Sequence, residues 1–453
     1  MQKNIDRLLQ NVNKLKYWDL REQTLSKTSV VGWNNEVKDM VESEKSGMSF
    51  RVLVGSGWGF AYSHTNNLKQ VVNKAVKIAQ LMNKNSKGSK EVYLGKAIKD
   101  DKKSKWKINP KDVSLEEKKN LVLKYSKLNE KKIVSKQAIY FDINNKNHFM
   151  NSVGSDIRQE LIHTFVRVIS TAKQDFIQYY FATDGQERGF EVTSSIPKLS
   201  KEADDNALAL LKSKMPKGGK MNIIADSGLT DVFIHEALGH ASEADHILEN
   251  QSCLKGKIGK KIAPGNVSVI DDSRGKNCSW GGYFYDEEGI KSQKTEIIKK
   301  GILKTYLHSR ETAKLFNAKP TGNARAQDVS FKPCVRMSNT YIEKGDHSFE
   351  EMLQELKNGY YLIGSKGGEV DPAKGVFQFS CVQGFEVKNG ELGERLRNVA
   401  LSGNTLSTLN NITAMTKKYY GTFVGFCGKS GQTAFAAGDC PRILIKNAII
   451  GGN

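Results

Sequence analysis

At 453 residues, with 38% hydrophobic and 26% charged side chains, the chain has the composition expected of a soluble globular protein of two or three domains, not of a disordered or membrane one. Its net charge of +20 raises nucleic-acid binding, but the excess is uneven: residues 1–220 hold 40 Lys+Arg against 24 Asp+Glu (+16), and residues 221–453 hold 29 against 25 (+4). The densest stretch, residues 84–136, is lysine-rich, poor in arginine and in interleaved aromatics, and mixed with acids as in KAIKDDKKSKWK, which describes a solvated face rather than a nucleic-acid reader.

The opening MQKNIDRLLQNVNKLK is polar and amphipathic, without the apolar core of a signal peptide, and no run of 18 apolar residues suggests a membrane span. The six cysteines lie in the C-terminal half without paired spacing, as reduced thiols of a cytoplasmic protein do.

In chain order, apolar residues at helical spacing predict a helix over residues 1–16. Short strand-like runs follow at 29–33 and 49–54, and GSGWGFAYS reads as strand, turn, strand. GSGWG lacks the G-x-G-x-x-G spacing of a phosphate loop. Residues 66–83 and 114–128 predict helices, the second opened by the capping box SLEE. QAIYFDI, NHFMNSVGSDIRQELIHTFVRVISTA and DFIQYYFATD predict an antiparallel sheet, and 198–213 a helix. The cluster KMPKGGK marks a domain boundary near residue 216.

Beyond it MNIIAD reads as a buried strand, with Ser227 or Thr230 to cap the helix that follows. Residues 245–265 read as a mobile loop, 349–357 and 407–414 as short helices, Lys388-Asn389-Gly390 as a hairpin turn, and CPRILIKNAIIGGN as one or two closing strands. The expected fold is α+β in two domains. An N-terminal α/β domain with antiparallel sheet and helices spans residues 1–215, and a β-rich C-terminal domain spans 216–453 and carries the helix.

On that helix stands His235-Glu236-Ala237-Leu238-Gly239-His240: two imidazoles flanking a carboxylate. Five residues of ideal α-helix sweep about 500°, leaving the rings about 140° apart. A π-type turn of about 4.4 residues would bring them together, and Gly239 is the expected place for it. A catalytic zinc needs a third protein ligand. His246 is predicted to face away on a continuing helix, His64, His148 and His163 belong to the first domain, and His308 and His347 sit in charged surface text. Any of the six cysteines qualifies, Cys427 in GFCGKSGQ among them. Glu243 and Asp245 either orient the imidazoles or are solvated acids at the helix end.

HEALGHASEAD together with FCGKSGQ resembles the TldD branch of the TldD/PmbA family of cytoplasmic metallopeptidases. PTGNARA, RMSNTYIEKG, GGEVD and the final AIIGG follow as similar landmarks in the same order. The chain departs from the family at SGLTDVF before the first histidine and at ASEAD after the second. The resemblance implies one Zn2+ held by His235, His240 and Cys427, with Glu236 as general base and Cys440 structural. It also implies unfolded or extended peptide substrates, and a dimer formed with itself or with a PmbA/TldE-like subunit that lacks the motif. Three readings follow: a zinc peptidase for unstructured peptides, a non-catalytic metal-binding or scaffold subunit, and, disfavoured by the charge distribution, a basic nucleic-acid-binding protein.

Overall fold

The computed structural model describes all residues except Asn66, Lys87, Ser89, 276–278 and Asn453, with the Thr422 side chain also left aside. Cys278, one of the six candidate thiols, therefore lies outside the described residues. The short helix α1 (Gln2–Leu9) leads into a sheet built from β1 (Leu15–Trp33), β2 (Glu36–Val54), β3 (Gly57–Ser63), β4 (Lys99–Lys103), β5 (Ile133–Asn151), β6 (Asp156–Lys173) and β7 (Ile177–Gln186). The order is β3-β2-β1-β5-β6-β4 with β7 on β6, and every pairing is antiparallel except β4 on β6.

The runs at 29–33 and 49–54 are the ends of two 19-residue strands. The first part of β2 shows no alternation because residues 36–42 are all exposed along an open edge and bury no face to pattern the sequence. The opening helix stops at Leu9, and Leu15 already belongs to β1.

Helix α2 (Leu68–Asn85) packs on β2 and β3. The glycines of GSGWG serve that packing, since a Cβ on Gly59 would lie 1.9 Å from the Ala75 carbonyl oxygen. Helix α3 (Leu115–Ser126) has the expected capping box between Ser114 and Glu117. It covers β1 and β5, while α4 (Ile196–Leu210) covers β6 and β7.

The second half is organised on β8 (Gly219–Ala225). A small sheet joins β9 (Val269–Asp272), β10 (Lys294–Lys299), β11 (Ile302–Leu303) and β14 (Thr340–Ile342), and a two-stranded piece pairs β12 (Ala324–Arg325) with β13 (Cys334–Val335). The large sheet runs β16-β17-β20-β22-β8-β15-β18-β19, with β21 on β22. Its members are β15 (Gly359–Ile363), β16 (Gly368–Asp371), β17 (Val376–Ser380), β18 (Gln383–Lys388), β19 (Glu391–Leu396), β20 (Val399–Asn404), β21 (Ile412–Lys429) and β22 (Gln432–Gly452). The Lys388-Asn389-Gly390 turn is found, with positive φ at Asn389 and Gly390 as a type I′ hairpin requires.

Two expectations fail for physical reasons. Residues 245–265 are no loose loop: Leu254, Ile262 and Ala263 are fully or almost fully buried, and the Tyr306 hydroxyl donates to the Leu254 carbonyl. The helix expected at 407–414 spans Thr405–Asn410, because Ile412 pairs with Ile445 in the long hairpin. The chain closes on one 21-residue strand. Among the described residues, no helix is long and apolar enough to cross a membrane.

Candidate metal centre

Strand β8 ends at Ala225, and α5 (Ser227–Val232) begins at once. Its N-cap is Asp226, not Ser227 or Thr230. The Asp226 carboxylate accepts from the Leu229 and Gly364 amides, each at 2.8 Å, tying the helix start to the end of β15. From Phe233 to Gly239 the helix widens into the π turn that the five-residue spacing requires, and His240–Ser242 tighten into a 3-10 turn. His235 and His240 thereby share one face, their ring centroids 5.3 Å apart and nearly perpendicular. Gly239 has ordinary helical φ of −58°, so its glycine is a matter of space: a Cβ would lie 1.8 Å from the Met337 sulfur.

The third donor arrives on a hairpin. Ser430 and Gly431 form a two-residue turn with positive φ at both, and Lys429 pairs with Gln432. Cys427 and Lys429, two apart on β21, point the same way. The Cys427 sulfur lies 3.3 Å from His240 Nε2, and the donor atoms of His235, His240 and Cys427 all lie within 4.8 Å of one another. All three side chains are buried. Burial pushes the Cys427 thiol up, but His235 and His240 outweigh it and hold the thiol well below its usual range. A thiolate and two imidazoles with converging atoms suit Zn2+: a tetrahedral site with bonds of about 2.0–2.3 Å has donor–donor edges of about 3.5 Å.

The surroundings orient the donors. Glu243 Oε2 accepts from His240 Nδ1 at 3.1 Å and from Lys429 Nζ at 2.9 Å. Burial alone would raise the Glu243 carboxyl, yet His240 and Lys429 lower it to about 2. An ionised Glu243 fixes the Nδ1 proton of His240 and leaves Nε2 facing the sulfur. Among the described residues Asp245 makes no hydrogen bond or ion pair with an imidazole. It accepts from Lys429 Nζ at 2.8 Å and from the Val335 amide at 3.3 Å, so it holds the lysine that holds Glu243. Arg336, fully buried, donates to the Cys427 carbonyl.

His246 does not face away, because the helix breaks at Glu243: its Nδ1 lies 3.0 Å from the His240 carbonyl oxygen and 3.5 Å from Glu243. Glu243, Asp245 and His246 could themselves gather a cation, but the Lys429 ammonium already stands on both carboxylates. His308 is not surface text either; it is buried beside Thr312. Cys440 lies elsewhere, its sulfur 4.0 Å from Asp231 Oδ1. Lys429 and Arg336 went unnoticed in the sequence, although the alternation C-G-K puts the lysine on the cysteine's face.

Glu236 is the member of the motif that reaches solvent, with its side chain 35% exposed and Oε2 3.8 Å from His240 Nε2. It opens onto a cavity of about 210 Å³ lined by His235, Cys427, Val232, Phe423, Phe426 and the backbone of Gly367 and Gly368. A buried imidazole–thiolate donor set beside a solvent-facing carboxylate, built between a helix and a β-hairpin, defines a metal-hydrolase class of site.

Three family descriptions match the chain in order: PmbA/TldA metallopeptidase domain 1 over residues 18–79, the central domain over 108–211 and the C-terminal domain over 218–452. A protein named metalloprotease MJ0996 from Methanocaldococcus jannaschii is 41% identical over 94% of this chain and 96% of its own. A zinc metalloprotease TldD homolog from Saccharolobus solfataricus is 37% identical over 58% of each chain. The fold is shared with TldE from Thermococcus kodakarensis at a TM-score of 0.79 and 18% identity, covering 100% of both chains. The chain belongs to the TldD/PmbA family of metallopeptidases.

Proposed function

We propose that this chain is a zinc-dependent peptidase that hydrolyses peptide bonds in unstructured peptides held in extended form. The observation that carries it is the convergence of His235, His240 and Cys427 beside Glu236 at the mouth of one cavity. The zinc named for the Saccharolobus solfataricus relative supports the choice of ion. The chemistry such an ion supplies when bound is Lewis acidity, polarising a peptide carbonyl and acidifying a water.

This chain's residues do the rest. His235, His240 and Cys427 would hold the ion, and Glu243 keeps the His240 ring in place. Glu236 Oε2 takes the proton from the attacking water and passes it to the leaving amine nitrogen. Strand β16 ends the large sheet, and Gly367 and Gly368 line the same cavity as His235 and Glu236. An extended peptide pairing with that open edge would cross the carboxylate, held by backbone hydrogen bonds that tolerate many sequences. The partner is a second copy or a PmbA/TldE-like subunit.

The test is Glu236→Gln assayed on an unstructured peptide and on a matched folded domain. The wild type should cut only the peptide, and the variant should keep its metal while losing about 10²–10⁴-fold in rate. Unchanged hydrolysis by the variant would remove Glu236 from the mechanism.

A further inference from the structure

A second recess adjoins the cavity across the same two glycines. It measures about 540 Å³ and is lined by Lys366, Gly367, Gly368, Gln378, Ser380 and Asn398, with Tyr179 of β7 closing it from the first sheet. Lys366 is the cation there. Its backbone is pinned, the amide donating to the Ser380 carbonyl at 2.7 Å while the Ser380 amide donates to Gly367 at 3.0 Å. Its ammonium stands 4.3 Å from the centre of the Tyr179 ring. Among the described residues no carboxylate pairs with Lys366; the one acid of the lining, Glu369, is exposed and makes no ion pair with it. Burial lowers the Lys366 pKa, the mark of a charge held partly out of water without a counter-ion. Among the described residues the side chains of Gln378, Ser380 and Asn398 also make no hydrogen bond, so neutral donors line the recess beside the cation.

We propose that this recess binds a carboxylate of the peptide substrate, either its C-terminus or an Asp or Glu side chain, with Lys366 as the ionic anchor. The inference rests on the peptidase reading, because it is the chain lying on β16 that would deliver the carboxylate past Gly367. It adds selection to a site whose backbone pairing is otherwise indifferent to sequence: peptides that carry an acid at the right distance dwell longer over Glu236.

The experiment is fluorescence anisotropy with labelled decapeptides of one neutral sequence, on the full chain carrying Glu236→Gln so that they stay intact. One peptide is amidated, one has a free C-terminal carboxylate, and one is amidated with a single Asp. At least one acidic peptide should bind about tenfold tighter than the neutral one, the discrimination one partly desolvated charged hydrogen bond supplies, and which one identifies the source of the carboxylate. Adding Lys366→Met, or Lys366→Gln with its similar length and retained donor, should erase the difference while leaving the neutral peptide unaffected, and Lys366→Arg should keep most of it. Equal binding of all three peptides, or a preference that survives both neutral substitutions, overturns the proposal. A wild type that shows the preference but hydrolyses nothing sinks the peptidase reading instead, and hydrolysis without the preference sinks only the recess.

Discussion

Lys429 is the ammonium that stands on two carboxylates, Glu243 and Asp245, beside the candidate metal donors. Its ammonium reaches Glu243, Asp245 and the Val335 carbonyl, and Glu243 in turn fixes His240. Lys429→Met should therefore act at two levels. Leaving a fully buried Glu243 without its lysine costs about 3–5 kcal/mol in urea unfolding. Metal affinity, read by competition with a chelator, should fall about 10–100-fold, as loss of an orienting partner does. Unchanged affinity would show that Glu243 orients His240 unaided. His235 and His240 could be picked from the residues because imidazoles are scarce and closely spaced there, whereas Cys427 was one of six thiols and was singled out only by the resemblance to the family. Lys429 and Arg336 could not be picked, since lysine and arginine ordinarily face water and only the fold shows Arg336 buried and the Lys429 side chain 9% exposed.

At the scale of the element, the π turn from Phe233 to Gly239 was legible as a demand of spacing, since no regular α-helix aligns residues five apart. What the spacing did not reveal was why Gly239 is glycine. The expected reason was backbone distortion, and the actual one is the Met337 sulfur packed against its Cα. Gly239→Ala should thus destabilise by about 1–3 kcal/mol through overpacking, and Met337→Ala in the same chain should recover part of that loss in denaturant titrations. An additive double mutant would place the cause in the backbone. Local signals with their own chemistry, such as the Ser114–Glu117 capping box and the Asn389-Gly390 turn, were readable. The 19-residue strands were not, because half of β2 runs along an exposed edge and leaves no alternation to read.

For the whole molecule, the halves are joined by groups that no local pattern announces. Arg51 of β2 pairs with Asp19 of β1 and with Glu288 from the second half, each at 2.6 Å and all buried. His163 of β6 lies buried against Trp280 and against Phe435 of β22. Burial, with Arg325 adding to it, lowers the His163 pKa to about 3, so the folded chain keeps it neutral. An unfolded histidine titrates near 6.5. Above that value His163 adds no pH dependence. Below it the unfolded chain gains a proton that the folded one refuses, so stability falls by up to about 1.4 kcal/mol per pH unit until about pH 3. His163→Phe should flatten this acid limb in thermal unfolding between pH 6 and pH 4, and an unaltered slope would assign acid sensitivity to other groups.

The proposed metal site joins these scales, since a helix after β8 and a hairpin almost two hundred residues later must meet to bring its donors together. Its most direct measurement is metal content per chain by elemental analysis of the wild type, Cys427→Ser and Cys440→Ser. One zinc in the wild type and in Cys440→Ser, with loss in folded Cys427→Ser, is the predicted result. A wild type without metal, or a Cys427→Ser chain that keeps a full equivalent after dialysis against chelator, would contradict it.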